Sequence, residues 1–517
     1  METNKKEVET SNERNQSSKQ ANRRKVPQLP YRNLDFPYAP TNLLSEEQLE
    51  EIHETSLEVL EQVGVAFLSK RALSVFKAAG ADVDETTQRV RLDRNLVMES
   101  IKTAPSSFTM TARNPERNVL MGGTRLNISN ATTPPFCSDL KGGRRVGTFE
   151  DYCKLLKLCQ HLNVVHFLYG YPVEPQDLPV ETRHLDAYLA YATLTDKVWR
   201  AYATSEDALR DGVEMARIAR GIDMEQMRGE PSLLSNINTN SPLQYGGSMA
   251  DGLVTMAELG QPVVISVIEM AGATSPVTLA GTMAQQNAEA LAGVALSQMV
   301  NPGTPVIYGS FTSNINMRSG SFVLGTPEFV QIGIMSGQFA RRYGLPFKFN
   351  NSCTSNAIDA QAAYESQMSI WACMMGQPNF LAHGVGWLEN GLTTSFEKMI
   401  VDCEMLQMAS RVLEPIEINK ETLAFDDIKD VGPGGHYLGS KLTMKRFKDA
   451  FYEPLLTSWE NYVTWQKKGG VDLVTRAHDI VNQMLDEYEE PVLEPSRREE
   501  LDAYVERRRE EIQTSVG

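Results

Sequence analysis

Residues that could carry chemistry stand next to the short apolar runs of this chain. Cys353 lies in a loop of small polar residues, between an apolar run at 345–349 and an Ala-rich helical pattern that starts at Asp359. A loop that follows a strand is where α/β proteins usually keep their catalytic groups. The thiol is therefore a candidate nucleophile, and the alternative is a half-buried cysteine in a tight turn.

A second group of candidates stands where other apolar runs end, and most of its members are aromatic or neutral polar. These candidates are Phe136, Tyr169, Tyr171, Thr204, Asn236, Asn238, Asn240, Glu269, Tyr308, Phe311 and His383. Aromatic rings together with one carboxylate suit a cationic ligand. Phosphates fit poorly, because neither a Gly-rich loop nor a lysine stands at these ends.

Each of these candidates also has a purely structural explanation. His383 could be a hydrogen-bonding residue of the framework. Glu269 could pair with Arg318, the asparagines could form Asx-turns, and the tyrosines could be core residues with one wet end. The residues alone therefore indicate an enzyme or a binding protein for a small molecule, and they do not specify the function further.

Metal chemistry is not favoured by the spacing of the ligand-type residues. The chain has no HxxxH, HExxH or CxxC pattern, and Cys353 with His383 would supply only two soft ligands. A thiol–imidazole hydrolase would need an oxyanion hole, which the sequence does not display. We therefore expect no metal site.

Composition narrows the class of protein further. A net charge of −16 over 517 residues opposes binding to nucleic acid or to an anionic membrane. No apolar run is long enough to cross a bilayer, and the polar N-terminus lacks the apolar core of a signal peptide. Six scattered cysteines do not make a disulfide framework. These features predict a cytoplasmic protein.

Strand-like and helix-like patterns alternate through the middle of the chain. The predicted strands are 131–136, 164–172, 198–204, 232–238, 262–270, 304–311, 345–351 and 379–386. Runs rich in Val, Ile and Phe that alternate with helices predict a parallel sheet buried on both faces. About eight such units fit an α/β fold of the (β/α)8 TIM-barrel type. A doubly wound sheet is the alternative, but no GxGxxG follows the first strand.

Four regions follow from these patterns. Residues 1–30 are polar and predict a disordered tail. Residues 31–130 form an N-terminal lobe, whose first helix starts at Ser45 with Gln48 in a capping box. Residues 131–411 form the barrel. Residues 412–517 form a mostly helical C-terminal extension.

Several sequence blocks, in order, resemble the trimethylamine methyltransferase family. They are SPVTLAGTMAQQNAEALAGVALSQMVNPGTPVIYGS at 275–310, GTPEF at 325–329, YGLP at 343–346, DAQAAYE at 359–365, SFEKMIVDCEML at 395–406 and GPGGHYL at 432–438. The resemblance spans about 43–488, nearly the whole ordered chain. It implies a (β/α)8 barrel and a corrinoid-dependent methyltransferase that acts on methylated amines.

The position of Cys353 implies a branch of that family. The founding trimethylamine enzymes carry pyrrolysine between YGLP and the DxQAxxE helix, and Cys353 stands at or within a residue of that position. A thiol cannot form the amine adduct attributed to pyrrolysine. The chain therefore resembles the branch without pyrrolysine, whose characterised members demethylate quaternary amines such as glycine betaine or carnitine.

The resemblance also implies a mechanism and partners. A methyl group passes from the amine to cobalt(I) of a corrinoid that a separate small protein carries, and the chain binds no cofactor tightly itself. We expect a homo-oligomer. The site residues expected on this basis are Cys353 and Glu269 near the chemistry, Tyr171, Tyr308 and Phe311 as an aromatic cage, and Asn238 and His383 on a carboxylate or hydroxyl tail.

Two other functions stay open from the sequence. The same barrel could use another methyl donor, such as a sulfonium compound, or another methyl acceptor. It could also be a non-catalytic betaine-binding protein or a scaffold for the corrinoid protein.

Overall fold

A computed structural model describes residues 26–516. Residues 1–25 of the predicted disordered tail lie outside the described residues. The first helix, Glu46–Glu58, is capped by Ser45, whose hydroxyl accepts from the amide of Gln48 while the Gln48 side chain accepts from the amide of Ser45. The predicted capping box is therefore confirmed.

Seven regular parallel strands and one isolated bridge form a closed ring. In ring order they are Arg125–Asn130, the segment around Phe167, Trp199–Arg200, Leu233–Asn238, Val263–Val267, Val306–Ser310, Phe347–Asn350 and Phe380–Val385. Phe167 bridges Ser129, and Leu168 donates to the Val198 carbonyl. Phe380–Val385 pairs with Arg125–Asn130 and closes the ring. The predicted (β/α)8 barrel is confirmed.

Helices surround this ring. The eight long ones are Phe149–His161, Arg183–Leu194, Glu206–Arg220, Gly247–Glu258, Leu279–Val300, Pro327–Tyr343, Ala360–Gly376 and Phe396–Val412, with a short Met224–Gly229 between two of them. The helix Arg183–Leu194 was not among the helices expected from the sequence. Within the part of the chain that the structure describes, no helix combines the length and apolar character of a membrane span.

The prediction of the first barrel strand is wrong. The strand predicted at 131–136 is not part of the barrel, and Arg125–Asn130 takes its place. Pro134 and Pro135 lack the amide hydrogens that a central strand needs. Asn127 and Ser129 gave the true strand an alternating pattern, although both are buried. The sequence analysis places residues 125–130 in the N-terminal lobe, whereas the structure makes them a strand of the barrel.

The N-terminal lobe packs on the barrel and closes its lower end. Its other elements are the π-helical turn Val59–Val63, the helices Lys70–Ala78 and Arg94–Ile101, and the strands Leu34–Asp35, Val65–Phe67, Asp82–Asp84, Arg89–Arg91, Ser107–Met110 and Val119–Gly122. The last two strands form a hairpin. Its Met110 and Met121 share one apolar cluster with Phe167, Leu234 and Val264 of the barrel strands. The hairpin therefore plugs the amino-terminal end of the lumen.

The remaining elements are small sheets in the loops and a helical C-terminal region. The loop strands are Phe136–Asp139, Gly143–Val146, Gln244–Tyr245, Met270–Ala271, Ser313–Asn314, Trp387–Leu388 and Thr393–Ser395. The C-terminal helices are Phe425–Val431, Lys441–Arg446, Tyr462–Lys467, Leu473–Asp486 and Pro495–Val516. Most loop strands follow barrel strands, so they gather above the carboxyl end of the barrel.

Candidate functional site

The inward faces of the strands decide which side chains reach the lumen. Side chains two apart on a strand share a face. Leu234 belongs to the apolar cluster of the lumen, so Asn236 and Asn238 follow it on the same face. Val198 places Arg200 in the lumen in the same way. The lumen therefore changes from apolar at the plugged end to polar at the carboxyl end.

A chain of hydrogen bonds joins the polar residues on one side of the lumen. The Tyr169 hydroxyl donates to Oδ1 of Asn236. Nδ2 of Asn236 donates to Oδ1 of Asn238 at 2.5 Å. This chain orients the Asn238 amide at the upper end of its strand. Of the residues predicted to hold a substrate tail, Asn238 is thus placed in the lumen.

Two cations, Lys348 and Arg200, face the same lumen. The Lys348 ammonium lies 5.8 Å from the ring centroid of Tyr169 and 5.4 Å from that of Phe311, and Nζ donates to Oγ of Ser266 at 3.1 Å. The Arg200 guanidinium lies 5.1 Å from the Tyr169 centroid. Among the described residues, no carboxylate forms an ion pair with either cation. Burial, with Arg200 nearby, holds the pKa of Lys348 well below its usual range.

An aromatic wall stands above these cations. We use this name for Phe311, His383 and Trp387. The ring centroids are 5.7 Å apart for Phe311 and His383, 5.9 Å for Phe311 and Trp387, and 3.7 Å for His383 and Trp387. Tyr169 joins the wall from below, with its centroid 6.0 Å from that of His383. Packed rings of this kind present π-faces and edges that suit an alkylammonium group.

An irregularity in its strand turns the His383 side chain toward the other two members of the aromatic wall. His383 has φ 55°, and the pairing of its strand shifts between Leu381 and Val385. A bulge re-aims a side chain, and a left-handed conformation at a residue other than glycine stores strain that often marks a functional position. Burial, with Lys348 and Arg200 nearby, lowers the pKa of His383 well below its usual range. The imidazole is therefore neutral at neutral pH.

The loop that carries Trp387 is fixed from two sides. The amide of Gly386 donates to Oδ2 of Asp402 at 2.8 Å, and Asp402 is paired with the buried Lys398. On the other side, the Cys353 thiol donates to the Trp387 carbonyl at 3.1 Å. These contacts hold the backbone that aims the indole at His383.

Cys353 therefore holds the Trp387 loop and lies outside the aromatic wall. The thiol is fully buried in a small cluster with Ala362 and Leu388. Burial raises the pKa of the thiol to about 11. A thiol in this state is a poor nucleophile.

Glu269 lies beside a second buried carboxyl group. Its Oε1 accepts from Nε2 of Gln285 at 3.0 Å, and the same amide reaches Oε1 of Glu289 at 3.3 Å. Burial and the neighbouring Glu289 raise the pKa of Glu269 well above its usual range. Glu269 is thus tied to the helix Leu279–Val300, and its Oε2 has no partner among the described residues.

Tyr308 and Tyr171 are not brought to the lumen. Ile307 occupies the lumen cluster, so Tyr308 points the other way, and its hydroxyl donates to Oδ1 of Asn287 at 3.2 Å. The Tyr171 ring packs 4.1 Å from that of Tyr202, next to Tyr152. Both tyrosines lie in the layer between barrel and helices.

Several buried polar atoms at the carboxyl ends of the barrel strands, or in the loops that follow them, have no partner among the described residues. They are Nδ1 of His383, Nε1 of Trp387, Oδ1 of Asn350, Oγ1 of Thr312 and Oε2 of Glu269. Buried polar atoms are nearly always hydrogen-bonded, so such a group needs an explanation. Two of them, Nδ1 of His383 and Nε1 of Trp387, belong to the aromatic wall, and a bound ligand or water explains these two best.

Metal-type ligands come together elsewhere. Among the described residues, Glu50, His53 and Glu54 stand close enough to share an ion. However, Nδ1 of His53 already bonds the Tyr343 hydroxyl at 2.7 Å. Exposed acidic side chains also gather without a metal, so this group has no assigned role.

The sequence missed three residues of the site, namely Lys348, Arg200 and Trp387. The sequence analysis considered only the strand ends, whereas Lys348 lies inside the strand Phe347–Asn350 and still faces the lumen. A signal was present: lysine is almost never buried, so one inside an apolar strand indicates a special environment. Trp387 gave no such signal, since its place depends on a loop that the fold brings back.

Comparisons with known proteins agree with the motifs. The family model described as "Trimethylamine methyltransferase (MTTB)" matches residues 10–513. The glycine betaine methyltransferase of Desulfitobacterium hafniense strain Y51 is 39% identical over 472 residues, which are 91% of this chain and 98% of that protein. The trimethylamine methyltransferase MttB of D. hafniense strain DSM 10664 / DCB-2 is 30% identical over 454 residues, 86% of this chain and 89% of that protein.

A solved structure is similar at lower identity. The monomethylamine methyltransferase MtmB of Methanosarcina barkeri aligns with a TM-score of 0.45 and 11% identity, covering 86% of this chain and 95% of that one. The family model, by contrast, spans almost the whole sequence, and two relatives are at least 30% identical over most of it. The chain belongs to the trimethylamine methyltransferase (MTTB) family.

Proposed function

We propose that this protein transfers a methyl group from a quaternary amine of the betaine type to cobalt(I) of a corrinoid. The observation that carries the proposal is the aromatic wall of Phe311, His383 and Trp387 at the open end of a plugged lumen. A relative of 39% identity that is named a glycine betaine methyltransferase supports this substrate class.

The wall would hold the trimethylammonium group and exclude water from it. Cation–π attraction strengthens when the cation is desolvated, reaching about 2 kcal/mol or more. The ring spacing fixes the position of the cation, so one methyl group can face the open end of the lumen. Positioning of this kind supplies much of the barrier reduction in a displacement reaction.

The proposed chemistry needs no acid or nucleophile from the chain. Cobalt(I) donates the electron pair, the methyl–nitrogen bond breaks, and the nitrogen keeps its bonding pair to leave as a neutral tertiary amine. No proton moves to the leaving group. The states of the nearby residues suit this, because the Cys353 thiol has a pKa of about 11 and burial keeps His383 neutral.

The corrinoid would stay on a separate protein and approach from the open end. The rings of the wall and Tyr169 pack within about 6 Å of one another, a spacing that suits a small amine. A corrin macrocycle is far wider than this. The acceptor must therefore meet the exposed methyl group from outside the lumen.

The experiment is methyl transfer to a reduced corrinoid protein. Glycine betaine, carnitine, choline, trimethylamine and dimethylsulfoniopropionate are each added, and loss of the cobalt(I) absorption is followed. We expect loss with a quaternary amine and none with trimethylamine. Loss with the sulfonium compound alone, or betaine binding without any transfer, would replace the proposal with another donor or with a non-catalytic binding protein.

We also propose that the protein is a homo-oligomer of the cytoplasm. All six cysteines are unpaired, which suits a reducing compartment. The segment 412–465 is rich in exposed apolar side chains, such as Ile416 at 87%, Leu438 at 81% and Phe451 at 86%. Its helices Phe425–Val431, Lys441–Arg446 and Tyr462–Lys467 contain no buried residue.

Short helices without a core of their own are not stable in water, so this segment needs a partner surface. Its exposed apolar side chains together offer on the order of 1,000 Å², which is more than one side of a standard interface. A second copy of the chain is present wherever the protein is, whereas a transient partner is not, so a second copy is the expected partner surface. Light scattering is expected to give a mass of at least a dimer, and Leu438→Glu with Phe451→Glu to lower it. A monomeric wild-type protein would contradict this proposal.

A further inference from the structure

The lumen contains two cations in a site proposed to bind a cation. Lys348 lies 5.4 Å from the ring centroid of Phe311, a member of the aromatic wall, and the Arg200 guanidinium lies 5.1 Å from that of Tyr169. In their charged forms both side chains would repel a quaternary ammonium, and burial already holds the pKa of Lys348 well below its usual range. The arrangement makes sense if the ligand brings a negative charge as well.

We propose that Lys348 and Arg200 form a carboxylate anchor, which makes the site selective for zwitterionic betaines over quaternary amines without an acid group. The inference rests on the proposed function. In an α-betaine one carbon separates the nitrogen from the carboxyl carbon, so the two are about 2.5 Å apart. A carboxylate seated at Lys348 would thus place its trimethylammonium against Phe311.

The polar surroundings of the two cations support an anion between them. Within the described chain neither cation has a carboxylate partner, and the Arg200 Nε atom is buried without any hydrogen bond. Among the described residues, Lys348 has one polar partner at hydrogen-bond distance, Oγ of Ser266. Its ammonium can donate three bonds. An incoming carboxylate would use the remaining donors in charge-assisted hydrogen bonds.

Burial gives Lys348 a low pKa, and an anion beside it raises that pKa again. Binding of a betaine would therefore take up a proton at neutral pH. Choline carries no carboxylate, so its binding would take up none. Proton uptake thus reports on the anchor independently of methyl transfer.

The test is calorimetric titration of the full-length protein with glycine betaine and with choline, in buffers of different ionisation enthalpy. We expect glycine betaine to bind at least about tenfold more tightly, which is about 1.4 kcal/mol. Equal affinity for the two ligands would overturn the anchor. If instead betaine binds with the expected preference but no methyl group is transferred, the anchor stands and the proposed function fails.

The decisive variant is Lys348→Met, which keeps the length of the side chain and removes its charge. Affinity for glycine betaine is expected to fall by at least about tenfold, and affinity for choline to change by less than about threefold. The proton uptake should vanish. Lys197→Met is the matched control, because Lys197 is also buried but donates to the backbone carbonyl of Leu162 at 3.1 Å outside the lumen. Its preference for betaine should stay at the wild-type value.

Two outcomes count against the proposal. If Lys348→Met loses both ligands equally, Lys348 supports the fold and not the anchor. If Lys348→Met retains the preference for betaine, then Arg200→Gln is titrated next, because the guanidinium alone could hold the carboxylate. Preference retained in both variants would overturn the assignment.

Discussion

Two neighbouring regions of the barrel contain the residues that could most readily do chemistry, and they differ in the groups that surround their polar atoms. In the Cys353 loop several polar groups have partners, whereas Oδ1 of Asn351 and Oγ of Ser352 are buried without one among the described residues. The thiol donates to the Trp387 carbonyl, and the Glu365 carboxylate accepts from the amides of Thr354 and Ser355 at 2.7 and 3.0 Å. In the lumen, His383 and Trp387 each have a buried nitrogen without a partner among the described residues.

The difference shows that burial alone does not mark a functional site. Both regions are buried and both contain polar atoms without a partner, but among the described residues only the lumen combines such atoms with basic side chains that lack an ion pair and with packed aromatic rings. Such a combination costs stability, and it is maintained where a ligand completes it. The Cys353 loop instead acts as a support, since it holds the backbone that carries Trp387.

The largest expected effect comes from removing a ring of the wall. Phe311→Leu keeps the apolar volume but loses the cation–π contact, which is worth about 2 kcal/mol when desolvated. We expect kcat/KM for the quaternary amine to fall about 30-fold. Phe329→Leu is the matched control, because Phe329 is a fully buried ring that packs on Phe349 outside the lumen, whereas Phe311 is partly buried. Equal losses in the two variants would remove the distinction between site and core.

The second effect concerns stability. Lys348→Met removes an amine that is buried with one hydrogen bond, so the free energy of unfolding is expected to rise by about 1–3 kcal/mol at pH 7. Urea denaturation measures this change. A loss of stability would show that Lys348 is part of the framework and would weaken the contrast between the two regions.

The same pair of proteins has a predictable dependence on pH. Burial lowers the pKa of Lys348 in the folded protein, whereas in the unfolded chain that pKa is about 10.4. Between the two values the unfolded state binds more protons, so wild-type stability rises with pH. The advantage of Lys348→Met should therefore shrink as pH approaches about 10. A constant difference between pH 7 and 10 would contradict a neutral Lys348.

The buried pair of Glu269 and Glu289 gives a smaller expected effect. Burial and the neighbouring Glu289 raise the pKa of Glu269 well above its usual range, which favours the neutral acid, and Glu269→Gln puts a neutral amide of the same shape in its place. We expect kcat/KM to stay within about threefold of the wild-type value. The sequence favoured Glu269 as the counter-charge of the substrate cation, and a loss of about a hundredfold or more would support that role instead.

The smallest effect is expected at Cys353. Cys353→Ser retains a donor for the Trp387 carbonyl, so turnover should remain within about threefold. Because the thiol is buried and its pKa is about 11, iodoacetamide at pH 8 should not alkylate it in the folded protein. Peptide mapping after labelling measures the alkylation of Cys353. Rapid alkylation of Cys353 would reveal a reactive thiol and reverse the comparison.

The barrel could be predicted because its strands and helices alternate in the sequence, and the motifs identified the family and its class of enzyme. The side chains that point into the lumen could not be predicted from the sequence. Strands buried on both sides show no polar alternation, so nothing in the sequence distinguishes Tyr308, which faces the helices, from Ile307, which faces the lumen. The turn of His383 depends on a bulge, and the place of Trp387 depends on a loop anchored to Asp402.

The central claim is that the lumen, and not the Cys353 loop, receives the substrate. A crystal structure with glycine betaine tests it most directly. We predict that the trimethylammonium group lies in van der Waals contact with Phe311 and Trp387, and that the carboxylate lies within hydrogen-bond distance of Lys348. A ligand seated against Cys353 or against Glu269, with the lumen filled by water, would contradict it.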